Sequence, residues 1–331
     1  MSSDNCLLRV EDLHVEFRTH VGIVKAVRGV DLALSPGEKV GLVGESGCGK
    51  SVTALAIMRL VPRPRGRISQ GHIWIYRDNG ATDVTQLGFD SPEMRSIRGQ
   101  DMAMVFQEPM TSLNPSFTVG YQIMEAVRLH QNASNEQARE VAIGSLRDVN
   151  MPDPEEVVDR YPHQLSGGMR QRAMLAMALA CNPRLLIADE PTTALDVTVQ
   201  AQILDLVKAS CSRRGMAMLW ITHNLGVVGE LCDRVIVMYL GQVVESAPVT
   251  DIFQRPRHPY TQALLHCSLL ETEVKKELEP IAGMVPGPFE IPTGCAFAPR
   301  CAYAWPQCQQ PPQMITTAQS QVRCWRYARE E

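Results

Sequence analysis

An α/β fold built around a phosphate-binding loop is what this chain predicts, and three observations predict it. Gly44-Glu45-Ser46-Gly47-Cys48-Gly49-Lys50-Ser51 fits G-x-x-x-x-G-K-[ST] at every defined position. Short apolar runs, Val40 to Val43, Leu185 to Ala188 and Met216 to Ile221, have the length and character of buried strands. Helical stretches fall between them, the first over Val52 to Leu60, directly behind the loop.

The elements follow in order. Residues 7–35 alternate apolar and polar through Leu8, Val10, Leu13, Val15, Phe17, Val24, Val27, Val30, Leu32 and Leu34, which predicts antiparallel strands. Buried strands and helices of a nucleotide core occupy about residues 38–110 and 163–250. Residues 112–162 between them read as helical, with helices expected over Val119 to Leu129 and Asn135 to Asn150. A terminal hairpin is expected from Val235-Ile236-Val237-Met238-Tyr239 and Gly241-Gln242-Val243-Val244-Glu245. Around Pro256 the character changes: Arg257 to Leu265 opens a helix, and residues 280–312 are rich in proline and poor in periodicity. The expected division is a nucleotide-binding domain over 7–255 and a C-terminal extension over 256–331. No internal repeat is visible, so a single such domain is expected.

The loop carries its own chemistry. Its glycines let successive backbone N–H groups converge on phosphates, and the helix behind it adds a positive pole. Lys50 is expected to reach the β- and γ-phosphates and Ser51 to ligate Mg²⁺. Cys48 reads as a small loop residue, with a redox role as the alternative.

Composition bounds the partners. The 331 residues carry a net charge of −4, which leaves no basic footprint for direct nucleic-acid binding. The longest uninterrupted apolar run, Ala173 to Ala180, is far short of the roughly 20 residues that span a bilayer. The N-terminal Met1-Ser2-Ser3-Asp4-Asn5-Cys6 has no leader character, so a cytosolic chain brought to a membrane by other subunits is the expectation. Ten cysteines in such a chain are not read as disulfides.

Leu165-Ser166-Gly167-Gly168-Met169-Arg170-Gln171-Arg172 resembles the signature motif of ATP-binding-cassette (ABC) ATPases, with Met169 where Gln is usual. Ser166 is a good N-cap for the helix that follows, and two glycines leave the backbone open to a phosphate. The resemblance implies an ABC ATPase fold: a RecA-like core, an antiparallel β subdomain and a helical subdomain. It also implies a head-to-tail dimer in which Ser166, Gly167 and Gly168 meet the nucleotide of the opposite subunit. By the same resemblance Asp189 holds Mg²⁺, Glu190 is the general base and His223 is the switch histidine. Gln107 is the Q-loop residue that senses Mg²⁺ and water, and Ala194-Leu195-Asp196 is the loop that communicates across the dimer. Phe17 is the candidate for stacking on adenine, with a strand-core role as its alternative. The cofactors implied are ATP and Mg²⁺.

Arg257-His258-Pro259-Tyr260-Thr261, the Pro/Cys-rich tail and the run Phe106 to Pro115 resemble the ATPases of dipeptide and oligopeptide importers, a subfamily shared with nickel importers. This implies an ATP-hydrolysing subunit of a bacterial peptide importer at the cytoplasmic face of the inner membrane. Its implied partners are a second ATPase subunit, a related chain by the subfamily resemblance with a second copy of this chain as the alternative, two permease subunits and an extracytoplasmic binding protein. A nickel or other small-solute importer is the rival within the class. A soluble ABC ATPase acting on nucleic acid is the rival outside it, though neither a fused second cassette nor a basic insert is present.

Cys295, Cys301, Cys308 and Cys324 are separated by five, six and fifteen residues. Short Cys-x₂₋₄-Cys knuckles typical of structural zinc are absent. A 4Fe–4S cluster is the leading expectation, with zinc or free packed thiols as alternatives.

Overall fold

The computed structural model describes residues 6–78, 80–107, 112–192, 196–270, 281–317 and 319–328. The chain forms two compact units. One gathers the chain up to Ser35, Lys39–Gln86 and everything from Trp220 on; the other holds Pro36–Glu38 and Leu87–Leu219.

In the first unit, Leu8–Arg18 pairs antiparallel with Ile23–Leu34 on one side and Gly66–Arg77 on the other, and Gly80–Asp83 closes the edge. Leu8, Val10, Leu13 and Val15 are buried, and the step from Val10 to Leu13 breaks strict alternation. The register shifts there, with Asp12 at φ 45. An extra residue at a bulge restores the apolar set to the same face. Gly66–Arg77 lies outside the sequence expectation for this sheet. Its Ser69-Gln70-Gly71-His72 stretch interrupts any alternation, so the strand is visible only through its partner.

The same unit carries a second, mixed sheet. Lys39–Val43 runs parallel to Arg234–Tyr239, as expected for strands buried as continuous apolar runs. Arg234–Tyr239 turns back into Gln242–Pro248, the expected hairpin, slightly longer than its sequence signal. Beyond it, Gln321–Val322 pairs with Glu245 and Ser246, and Ile315–Thr316 pairs in turn with Gln321–Val322. The C-terminal tail thus adds two short strands to this sheet, with Val322 fully buried.

In the second unit, Met102–Val105 and Leu185–Asp189 form a parallel pair. Helices Val119–Gln131 and Asn135–Asp148 fall within a few residues of their expected bounds. Thr118 caps the first, and a Ser134–Gln137 capping box starts the second. Val119, Ile123 and Val127 are buried at four-residue spacing, one helix face turned to the core. Among the described residues no helix is long and apolar enough to cross a membrane.

Candidate functional site

Strand Lys39–Val43 delivers the chain into the phosphate loop, and helix Lys50–Ile57 carries it away. Gly44 has φ 153, and a Cβ there would lie 2.2 Å from the Met238 carbonyl oxygen. Only glycine allows that approach. Gly49 serves as N-cap at φ 103. Lys50 is buried, and its Nζ donates to the carbonyl oxygens of Gly44 at 2.8 Å and Glu45 at 3.1 Å. The ammonium is therefore held against the loop, while Ser46 and Gly47 are exposed. Ser51 occupies the first helical turn. Cys48 is buried, and burial pushes its thiol upward, which favours the packing reading over the redox one.

In the second unit the register of the parallel strands places Val105 opposite Ala188. Two residues further along each chain stand Gln107 and Glu190, and Gln107 Nε2 donates to Glu190 Oε2 at 3.3 Å. Glu190 has φ 44, a left-handed conformation that costs a non-glycine residue energy and concentrates at functional positions. Asp189 is buried at the end of its strand. Within this unit the amide oxygen of Gln107 and the carboxylate of Asp189 are hard oxygen donors of the kind Mg²⁺ takes.

Ser166 caps helix Gly167–Leu179, its Oγ accepting from the Met169 N–H at 3.3 Å. Ser166 and Gly167 are exposed at that helix start. A Cβ on Gly167 would meet nothing, whereas one on Gly168 would press Val199 at 3.1 Å. Asp196 caps helix Val197–Arg214 in the same way, accepting from the Val199 N–H at 2.9 Å. Ala194 and Leu195 of that loop lie outside the described residues, as do Glu108 to Thr111.

His223 is exposed just past strand Ala217–Thr222, immediately before Asn224, which caps helix Leu225–Leu231. Phe17 is half-buried in strand Leu8–Arg18, opposite Val24 and Gly66, and its ring lies against Gly66.

The cysteine tail departs from expectation. Among the described residues no three His, Cys, Asp or Glu side chains form a group that could hold a metal ion. Cys295, Cys301, Cys308 and Cys324 instead line one small cavity together with His258, Phe297 and Trp325. Burial pushes Cys295 and Cys301 upward and Cys324 up to about 11. The four thiols therefore converge, but not as a closed metal-binding group, so the cluster expectation finds no support there.

Sequence reasoning missed what holds Glu45. Arg300 Nη1 and Nη2 donate to its two carboxylate oxygens at 2.7 and 3.1 Å, and these hydrogen bonds hold the guanidinium firmly protonated against the opposing effect of burial. The Glu45 N–H donates to Tyr260 Oη at 2.8 Å. An acidic residue directly after Gly44 is the one sequence signal, since an acid in an anion-binding loop calls for a partner.

Comparison with known proteins fits this geometry. The ABC transporter family matches residues 27–193, and the C-terminal region of oligopeptide/dipeptide transporters matches residues 244–308. The chain is 52% identical over 329 residues to a Brucella abortus protein named for peptide import as an ATP-binding protein, covering 97% of each. It is 49% identical to the oligopeptide transport ATP-binding protein AppD of Bacillus subtilis, covering 98% of each. Its identity with the dipeptide transport ATP-binding protein DppD of Escherichia coli is 48%, covering 92% of this chain and 90% of that one. Among solved structures, the dimeric ATP-binding cassette MJ0796 bound to ADP and phosphate is similar at 28% identity and a TM-score of 0.64. It covers 73% of this chain and 99% of its own.

Proposed function

The chain belongs to the ABC transporter family, and from that premise we propose that it is the ATP-hydrolysing subunit of a bacterial importer of di- and oligopeptides. The observation that carries this reading is coverage: the likeness to a protein named for peptide import runs through 97% of the chain, and the C-terminal region matches that of oligopeptide/dipeptide transporters. On this reading residues 7–255 are the ATPase domain and 256–331 the extension of the oligopeptide-transporter type.

The site residues take these roles. The loop Gly44 to Ser51 binds the phosphates, with Lys50 on the β- and γ-phosphates. Ser51, Gln107 and Asp189 hold Mg²⁺, which neutralises phosphate charge when bound. Glu190 takes a proton from the attacking water, whose oxygen bonds to the γ-phosphorus as the bond to the leaving ADP oxygen breaks. Gln107 and His223 orient that water. Phe17 stacks on adenine. Ser166, Gly167 and Gly168 complete the site of a second ATPase subunit, a related chain rather than an identical copy, and Asp196 communicates between the two.

The subunit works at the cytoplasmic face of the inner membrane with two permease subunits and an extracytoplasmic binding protein, and never touches the peptide. A 4Fe–4S cluster in the cysteine tail rests on cysteine spacing alone, since the four thiols line one cavity without forming a metal-binding group among the described residues. Iron content and the visible absorbance of anaerobically purified protein test it, and absence of both removes it.

Uptake of labelled dipeptides, tripeptides and Ni²⁺ by cells carrying the intact chain or Glu190→Gln tests the function. Loss of peptide uptake alone is expected. Loss of Ni²⁺ uptake alone would move the chain to the metal-importing branch.

A further inference from the structure

We infer that Arg300 is a positioning residue for the phosphate-binding loop, neutralising Glu45 so that the loop can accept a polyphosphate. The inference rests on the ATP-binding reading of that loop.

Glu45 is a carboxylate inside a loop whose purpose is to attract anions, and an unpaired charge there opposes a nucleotide triphosphate. Arg300 answers it. Both Nη atoms fork onto both Oε atoms, the planar match that lysine cannot make. The Arg300 side chain is 4% exposed. Its Nε donates to the Ala282 carbonyl at 3.1 Å and its Nη2 to the Ile281 carbonyl at 3.2 Å. The guanidinium is thus braced from behind, and Nη1 also donates to Tyr239 Oη at 3.4 Å.

The backbone of Glu45 is fixed from the same side. Its N–H donates to Tyr260 Oη, from helix Pro259–Leu270. Tyr239, Tyr260 and Phe297 pack against one another with ring centroids 4.6 to 5.3 Å apart, and Arg300 lies over the rings of Tyr239 and Phe297. One loop residue therefore has its charge held from 255 positions downstream and its N–H held from 215 positions downstream. A buried ion pair is by itself weak grounds for stability. Its placement on the residue after Gly44, beside the carbonyls that Lys50 holds, is what points to nucleotide binding.

The test is titration of the full-length chain with MgATP and MgADP. Arg300→Gln is expected to weaken MgATP about tenfold, equivalent to about 1.4 kcal/mol. MgADP should weaken less, because repulsion from Glu45 grows with nucleotide charge. The loss should shrink as salt is added. In a Glu45→Gln background the same Arg300→Gln change should weaken MgATP by less than it does beside native Glu45, since the opposing charge is gone. A purely structural ion pair would move ATP and ADP equally. Unchanged MgATP affinity in a folded Arg300→Gln protein overturns the inference, as does an equal loss in both Glu45 backgrounds. Should Arg300→Gln fail to fold, Arg300→Lys carries the test: it keeps the charge, so MgATP affinity should stay near wild type, and a loss as large as tenfold and equal for MgATP and MgADP overturns the inference. A wild-type chain that binds neither nucleotide would remove the ATP-binding reading, and this inference with it.

Discussion

Gln107 Nε2 donates a hydrogen bond to Glu190 Oε2 across 3.3 Å, each residue standing two positions beyond the in-register pair Val105 and Ala188. The register of two parallel strands thus brings the amide and the acid to one point.

Glu190→Gln is expected to lower phosphate release by about 10²–10⁴-fold, the usual contribution of a general base, while MgATP still binds. Gln107→Ala should slow the same step by less, since its proposed role is to orient the water rather than to accept the proton. Single-turnover phosphate release beside nucleotide retention separates the two. Wild-type turnover in Glu190→Gln would remove the residue from the role of base.

Ser166 combines a cap with a proposed contact to the partner's nucleotide, and two substitutions separate these roles. Ser166→Ala removes the cap and should destabilise by about 1 kcal/mol. Ser166→Asp keeps a good cap and complements the helix pole, so its unfolding midpoint should stay close to wild type. Its carboxylate would repel the phosphates, so hydrolysis should fall in both variants. Chemical denaturation run beside ATPase rates gives both readings.

The loop glycines should differ in tolerance. Gly44→Ala places a Cβ 2.2 Å from the Met238 carbonyl oxygen, a backbone atom that cannot step aside. Gly47→Ala, at φ 78, meets nothing within 4 Å and bears only backbone strain of about 1–3 kcal/mol. Gly44→Ala should lose both thermal stability and nucleotide binding, and Gly47→Ala should lose less of each.

How far the sequence reads to this fold depends on the range of the interactions. Leu185 to Ala188 declared itself because a strand buried on both faces is a continuous apolar run. The phosphate loop and Ser166 declared themselves because caps and tight turns are local chemistry. Gly66–Arg77 did not, since its polar Ser69 to His72 stretch is stabilised by pairing with Leu8–Arg18 rather than by its own pattern. The Arg300–Glu45 pair was out of reach, because nothing local to Arg300 names a partner 255 residues away. Cysteine spacing identified residues that share a cavity but carried no information on whether they form a metal-binding group.

His258, in the His-Pro-Tyr segment, is buried and held down to about 3 from an ordinary 6.5 by desolvation. Its Nδ1 accepts from the Tyr260 N–H at 3.1 Å. A depressed histidine contributes stability that is complete above pH 6.5 and lost as pH falls from there toward about 3, by up to about 1.4 kcal/mol per pH unit. Burial raises Glu245, whose carboxylate accepts from the Arg257 and His258 N–H groups. Its contribution is therefore lost as pH rises above its ordinary 4.5, and it partly offsets the histidine in the overlapping range. His258→Asn offers a similar acceptor without the titration, so denaturation free energies should show a flatter slope below pH 6.5 than in the wild type.

The most direct measurement reconstitutes the chain with permeases and binding protein in proteoliposomes, and follows phosphate release and labelled-peptide accumulation together. Peptide should stimulate hydrolysis, and Glu190→Gln should abolish both signals while ATP remains bound. Peptide accumulation that continues when Glu190→Gln has stopped hydrolysis would contradict the account, because transport would then draw on something other than this ATPase.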